Sequence, residues 1–310
     1  MSFEHVLNER KFVLAEGSVV ESLRRSKKVN LHPRLVNSLL IYDGTGKEQL
    51  SQLYFGYISV ANKSNVPIIT LTPTWRANRE RISDAGINSN VNRDAVEFMR
   101  QLRNTWGSWQ ENIYIGGLIG CKNDCYIAAE AIDMEEAREF HAWQIKKLTE
   151  AGVDFLIAET LPALCEAIGI AQAMAATKDP YIISFVINRK SQVLDGTSLE
   201  YAFRTIDAVC DRPPVGYMVN CAHPSFLRAD EQPDIVRSRL VGIKANASSM
   251  DHSALDGSKT LQVDDIATWG NQMVELNSKY GVKILGGCCG TSTNHLQYVV
   301  DRVRRDTPDA

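Results

Sequence analysis

Three cysteines stand apart by type and setting. Cys221 lies in the segment Met218-Val219-Asn220-Cys221-Ala222-His223-Pro224, and the vicinal pair Cys288-Cys289 is framed by Gly286-Gly287 and Gly290-Thr291. Thiolates are soft ligands, and three together select zinc over magnesium or calcium. Zinc takes four ligands in a tetrahedron, and a catalytic site keeps one of the positions open. An added thiol in that position would lose its proton at neutral pH and be held as a nucleophile. Adjacent cysteines can share one ion where the backbone turns sharply, which the flanking glycines permit. The remaining cysteines, Cys121, Cys125, Cys165 and Cys210, read as small buried hydrophobes. Cys121 and Cys125 have Cys-x3-Cys spacing, but no second pair nearby completes a site.

Remote cysteines need a fold that brings them together. Short apolar runs, each of strand length, cover 11–15, 66–71, 113–119, 154–158, 181–187, 215–219, 240–245 and 282–285. Their unbroken apolar character suits parallel strands buried on both faces. Between them lie helical patterns. In 135–151, Ala137, Phe140, Ile145 and Leu148 share one face, and Gly152 marks the stop; 164–177 is Ala-rich; in 264–280, Ile266, Trp269, Met273 and Leu276 form one stripe, followed by Gly281 as C-cap. Strands alternating with helices over this length predict a single-domain (β/α)8 TIM barrel spanning 1–310, with a doubly wound open sheet as the alternative. Polar residues follow strand after strand, at Glu16, Thr72, Glu159, Asn220-Cys221 and Cys288-Cys289. A closed barrel gathers such positions at one mouth; an open sheet need not.

Composition narrows the function class. The 310 residues are 44% hydrophobic and 23% charged, with a formal net charge of −3. No basic footprint for nucleic acid and no polybasic handle for a membrane surface follow from that balance. The amino terminus lacks a basic segment followed by a long apolar one, and no apolar run reaches membrane-spanning length. A cytoplasmic location is therefore expected, where clustered cysteines serve metals or catalysis rather than disulfides.

With Gly-Gly-Cys-Cys-Gly-Thr and the earlier Asn-Cys taken together, the sequence resembles the homocysteine S-methyltransferase family, which includes betaine- and S-methylmethionine-dependent enzymes and the homocysteine module of methionine synthase. The resemblance runs through most of the chain, including 151–160, Ser184-Phe185, 194–199 and Thr70-Leu71-Thr72-Pro73-Thr74-Trp75. It implies a catalytic zinc (Zn2+) on Cys221, Cys288 and Cys289, homocysteine as acceptor and methionine as product. It further implies that Glu159, with Glu16, holds the substrate's amino group, and that Thr72 and Asn220 line the substrate site. The methyl would come from a sulfonium, an ammonium or a corrin cobalt. A corrinoid would have to arrive on a separate protein, because one barrel uses the whole chain. A homo-oligomer is compatible with the resemblance.

Departures cluster around the acceptor. The family opens with Asp-Gly and then Gly-Thr after strand one, whereas Ala15-Glu16-Gly17-Ser18-Val19-Val20-Glu21 has Glu for Asp and lacks the Gly-Thr. Glu16 is preferred as the counterpart over Asp43 in Asp43-Gly44-Thr45-Gly46, which follows a helix or loop. Pro73 stands where Asn is usual, and Ala245-Asn246-Ala247-Ser248 only loosely matches the family's Asn-bearing segment. These differences motivate a second reading, the same zinc chemistry on another thiol or in demethylation. His223 reads as a loop or pocket residue, and Trp75 and Tyr181 as packing.

Overall fold

The structure is a computed structural model that describes residues 1–255, 258 and 260–306. Its strands are β1 (Val13–Ala15), β2 (Ile68–Leu71), β3 (Ile113–Gly120), β4 (Phe155–Leu161), β5 (Tyr181–Phe185), β6 (Gly216–Asn220), β7 (Leu240–Ala245) and β8 (Ile284–Gly287). They form a closed barrel in sequence order. Every pairing is parallel, and β1 closes the ring on β8 through Val13↔Ile284 and Leu14↔Leu285. The (β/α)8 expectation holds, and the open sheet is excluded.

Alternation along each strand sorts the side chains. Val13, Ala15, Ile69, Leu71, Phe155, Ile157, Ile182, Met218 and Ile284 pack together inside the barrel. Their neighbours Leu14, Ile68, Leu156, Ile183, Val219, Ile243 and Leu285 pack outward against the helical shell. Both sets are buried, so the sequence shows unbroken apolar runs instead of a period of two. The same alternation carries on to the strand ends. Glu159 follows inward Ile157 at two residues, Asn220 follows Met218, and Lys244 follows Gly242, so all three point into the mouth.

The long helices sit where the periodicity placed them. Met134–Ala151 is capped by Asp133 and ends at left-handed Gly152 (φ 80°), and Ile266–Tyr280 is capped by Asp265 and ends at Gly281 (φ 72°). Leu164–Ala175 covers the Ala-rich stretch. Strand β4 runs past the expected 158 to Leu161 because its register shifts between Ala158 and Leu161. Thr160, at the shift, has φ 63°, which places a bulge at the mouth. The helix Phe3–Glu9 was not anticipated. Ser2 caps it, and Phe3 stacks on Phe155 with ring centroids 4.0 Å apart. Phe155 begins β4, so this helix seals the end of the barrel opposite the mouth. Cys121, Cys125 and Cys210 are buried as expected, but Cys165 is exposed, because it falls on the solvent side of its helix.

Candidate functional site

The mouth has a sulfur side and an acid side. On the sulfur side, Cys221 follows β6, and Cys288 and Cys289 follow β8. Their sulfurs all lie within 4.8 Å of one another, with Cys221 Sγ 2.7 Å from Cys288 Sγ. A tetrahedral zinc with bonds of about 2.3 Å needs sulfurs about 3.8 Å apart, a spacing these distances bracket. Thus the donor set fits zinc by chemistry and by position. The Cys288 and Cys289 thiols hydrogen-bond to Cys221 and hold it well below the ordinary thiol range, while both of them are pushed up. A dication would replace those shared protons.

The backbone builds this side. Cys221 itself is left-handed (φ 52°), and so is Gly290 (φ 82°) directly after the pair. Gly287 serves close approach instead of a turn, since a Cβ there would lie 2.0 Å from Thr291 Oγ1. The two cysteine loops are joined through β7. Cys221 N–H donates to the Lys244 carbonyl (3.2 Å), and Cys288 N–H to the Ala245 carbonyl (2.7 Å). Asn246 bridges both loops: its Nδ2 donates to the Cys221 carbonyl at 2.9 Å, and its Oδ1 accepts from Cys289 N–H at 3.1 Å. Glu21 accepts from Gly290 N–H and pairs with Arg25 at 2.8 Å.

On the acid side, Glu16 and Glu159 are brought together as the barrel predicts, with a third residue between them. The Lys244 ammonium lies 3.5 Å from Glu16 Oε1 and 3.2 and 3.3 Å from Glu159 Oε1 and Oε2. The three side chains are 4–8% exposed. Glu16 Oε2 also accepts from Leu71 N–H at 2.8 Å. Burial raises the Glu16 carboxyl to about 7 despite the opposing pull of Lys244, and raises Glu159 likewise. Burial alone would depress Lys244, but Glu159 and Glu16 outweigh it and keep the ammonium above its ordinary range.

Thr72 is buried at the mouth, with its hydroxyl 2.7 Å from Thr74 Oγ1 and accepting from Leu118 N–H at 3.0 Å. Asn220 donates to Thr160 Oγ1 (2.7 Å) and accepts from Thr160 N–H (2.9 Å) and Ser184 (2.7 Å). It therefore braces the strained residue of the β4 bulge. A cavity of about 160 Å³ is bounded by Glu16, Thr72, Glu159, Asn220, Lys244 and the three cysteines, with Trp75 and Tyr126 at its edge. A second, of about 340 Å³, opens alongside and shares Cys289, Tyr126, Glu21 and Arg24.

Other sequence candidates fall elsewhere. Asp43 is exposed and caps the helix Gly44–Lys63, accepting from Gly46 N–H at 2.6 Å. His223 caps the short helix Pro224–Leu227, with Nδ1 2.8 Å from Ser225 Oγ and Nε2 3.5 Å from Asp264. Tyr181 is fully buried in the shell. The sequence reading missed Lys244, hidden inside an apolar run, although its spacing from Gly242 could have shown that it faces inward. It named Asn246 without a role. Tyr126 lies in the loop between β3 and the helix Met134–Ala151, where no pattern marks it.

A closed barrel carrying a cavity at its strand ends, with a three-thiol cluster that could hold a soft metal beside it, is the build of a barrel enzyme. The family described as homocysteine S-methyltransferase matches residues 13–303. The chain therefore belongs to the homocysteine S-methyltransferase family, and it is an enzyme of the methyltransferase type. The homocysteine S-methyltransferase YbgG of Bacillus subtilis is 22% identical over 320 residues, covering 96% of both chains. The structures of the homocysteine methyltransferase MmuM from Escherichia coli share the fold. The metallated form has a TM-score of 0.75 at 18% identity, and the apo form 0.66 at 19%; each comparison covers 96% of this chain and 98% of that one. Among the described residues no helix is long and apolar enough to cross a membrane.

Proposed function

We propose that this enzyme holds one zinc ion on Cys221, Cys288 and Cys289 and transfers a methyl group from a small donor to an acceptor thiol. The observation that carries the reading is the convergence of three sulfurs from β6 and β8 within 4.8 Å at the edge of a barrel-mouth cavity. Zinc there supplies a Lewis-acid position at which an added thiol ionises near neutral pH. The chain's residues do the rest. Asn246 and the β7 carbonyls fix the sulfurs, and the cavity walls fix the acceptor's tail so that the sulfur meets the methyl carbon in line. The acceptor's proton goes to solvent, its sulfur lone pair forms the new S–C bond, and the bonding pair of the broken bond stays with the donor's heteroatom. Cys289 borders both cavities, so donor and acceptor can approach the same edge of the cluster from two chambers.

Homocysteine, named for the matched relatives, is the reference acceptor. The second reading, a different thiol, is favoured by one specific observation: the acidic pair already contains a protein ammonium. The test is metal analysis of purified protein, together with methylation assays using homocysteine and other thiols with sulfonium and quaternary ammonium donors. Wild type is expected to hold about one zinc per chain, and Cys288→Ala to lose both zinc and at least about a thousandfold in rate. A wild type that binds no zinc, or a Cys288→Ala variant that still methylates, overturns the proposal.

A further inference from the structure

Two buried carboxyl groups facing one small space favour a cation there, because an unpaired buried charge is costly. In this barrel the cation comes from the chain itself. Lys244 reaches from the end of β7 to Glu159 and Glu16, with its nitrogen 3.2 to 3.5 Å from their oxygens. These three residues and the cysteine cluster line the same cavity of about 160 Å³. A tethered ammonium fills such a position without giving up translational freedom, whereas a ligand must give it up. A ligand carrying its own ammonium would either displace Lys244 or enter beside it and meet like charge in a dry site.

We propose that Lys244 is a specificity-determining residue that takes the place of an acceptor's ammonium, so that this enzyme selects thiols carrying no amino group. The inference rests on the zinc–thiol reading above and narrows its acceptor. The chain of causes is short. Alternation along β7 turns Lys244 inward, the pairings Asn220↔Lys244 and Lys244↔Gly286 set its height in the mouth, and the reach of its side chain brings the ammonium to the acid pair across the barrel. Specificity built this way combines attraction for the neutral tail with repulsion of the charged one.

Cobalt-substituted protein provides the test, because thiol coordination changes the cobalt spectrum whether or not the right methyl donor is known. The probes are L-homocysteine and 4-mercaptobutanoate, which is homocysteine without its amino group. Wild type is expected to bind 4-mercaptobutanoate at least about tenfold more tightly, and Lys244→Met to shift that ratio toward homocysteine by about tenfold or more. Wild type binding homocysteine as tightly as 4-mercaptobutanoate overturns the inference and leaves thiol methyl transfer intact. A cobalt spectrum that no thiol perturbs overturns the parent reading, and this one with it. A second readout needs no metal. In metal-free Lys244→Ala, the bare acid pair should be refilled by ethylammonium, raising the melting temperature above that in equal sodium chloride, with no such difference in wild type. Equal responses in both proteins would count against a vacated ammonium position. If Lys244→Met fails to fold, the wild-type ratio decides alone.

Discussion

The sulfur side and the acid side of the mouth are built from the same strand ends but by different rules. On the sulfur side the side chains are left free for an ion, and the backbone does the holding, through left-handed Cys221 and Gly290 and the Asn246 bridge. On the acid side the side chains hold one another, with Lys244 between Glu16 and Glu159. The first gathers three sulfurs that could hold a metal ion. The second already carries its own ammonium. The departures from the family fall on both sides: Glu16 stands on the acid side, whereas Asn246, in the loosely matching segment 245–248, bridges the two cysteine loops.

The comparison can be sharpened by disturbing each side separately. Beyond the cysteines themselves, the largest effect is expected from Asn246→Ala, which leaves the Cys221 carbonyl and the Cys289 N–H without their bridge. Loss of such support around metal ligands typically costs about 10–100-fold in affinity, to be measured by zinc competition with a chelator. An affinity within a factor of about two of wild type would show that the sulfurs are held by β7 carbonyls alone.

Glu16 gives the next effect. Its carboxyl is raised to about 7 in the fold from an unpaired value of 4.5, so the folded state keeps a proton that the unfolded chain has lost. The associated stability is fully present below 4.5 and disappears as the pH rises through about 7. Between pH 5 and 8, metal-free wild type should lose about 2 kcal/mol more than Glu16→Gln, as read from urea unfolding. Parallel pH profiles would place Glu16 in contact with water instead of in a buried cluster.

The smallest effect serves as a control. Asp43 begins the Asp-Gly-Thr-Gly segment that most tempts a reader, yet it only caps a helix. Asp43→Ala should cost about 1 kcal/mol of stability and leave zinc content and methyl transfer unchanged.

Much of this was legible in the sequence because a parallel barrel buries both faces of its strands. The runs 66–71, 113–119 and 240–245 are dominated by apolar residues, and the strands observed there overlap them. Glu16 could be preferred over Asp43 on strand-end position alone. Lys244 escaped notice for the same reason the strands were clear: in a run identified by hydrophobicity, one lysine reads as noise. Only inside–outside alternation, which such runs conceal, gives it a direction. The helix Phe3–Glu9 was illegible because its seven residues carry too little periodicity to stand out, and its place is set by Phe155, far along the chain. The bulge at Thr160 depends on how β4 meets β5 and has no local signature.

Lys244 also shows how such a mouth can diversify. Its carbonyl receives the Cys221 N–H while its side chain serves the acid pair. Any amino acid supplies a carbonyl, so on the proposed reading a codon change at this one position would alter the acceptor preference and leave the backbone contact to Cys221 in place. A lineage of such barrels would then pass between amino-acid thiols and simpler ones in a single mutational step, with the three sulfurs still held together.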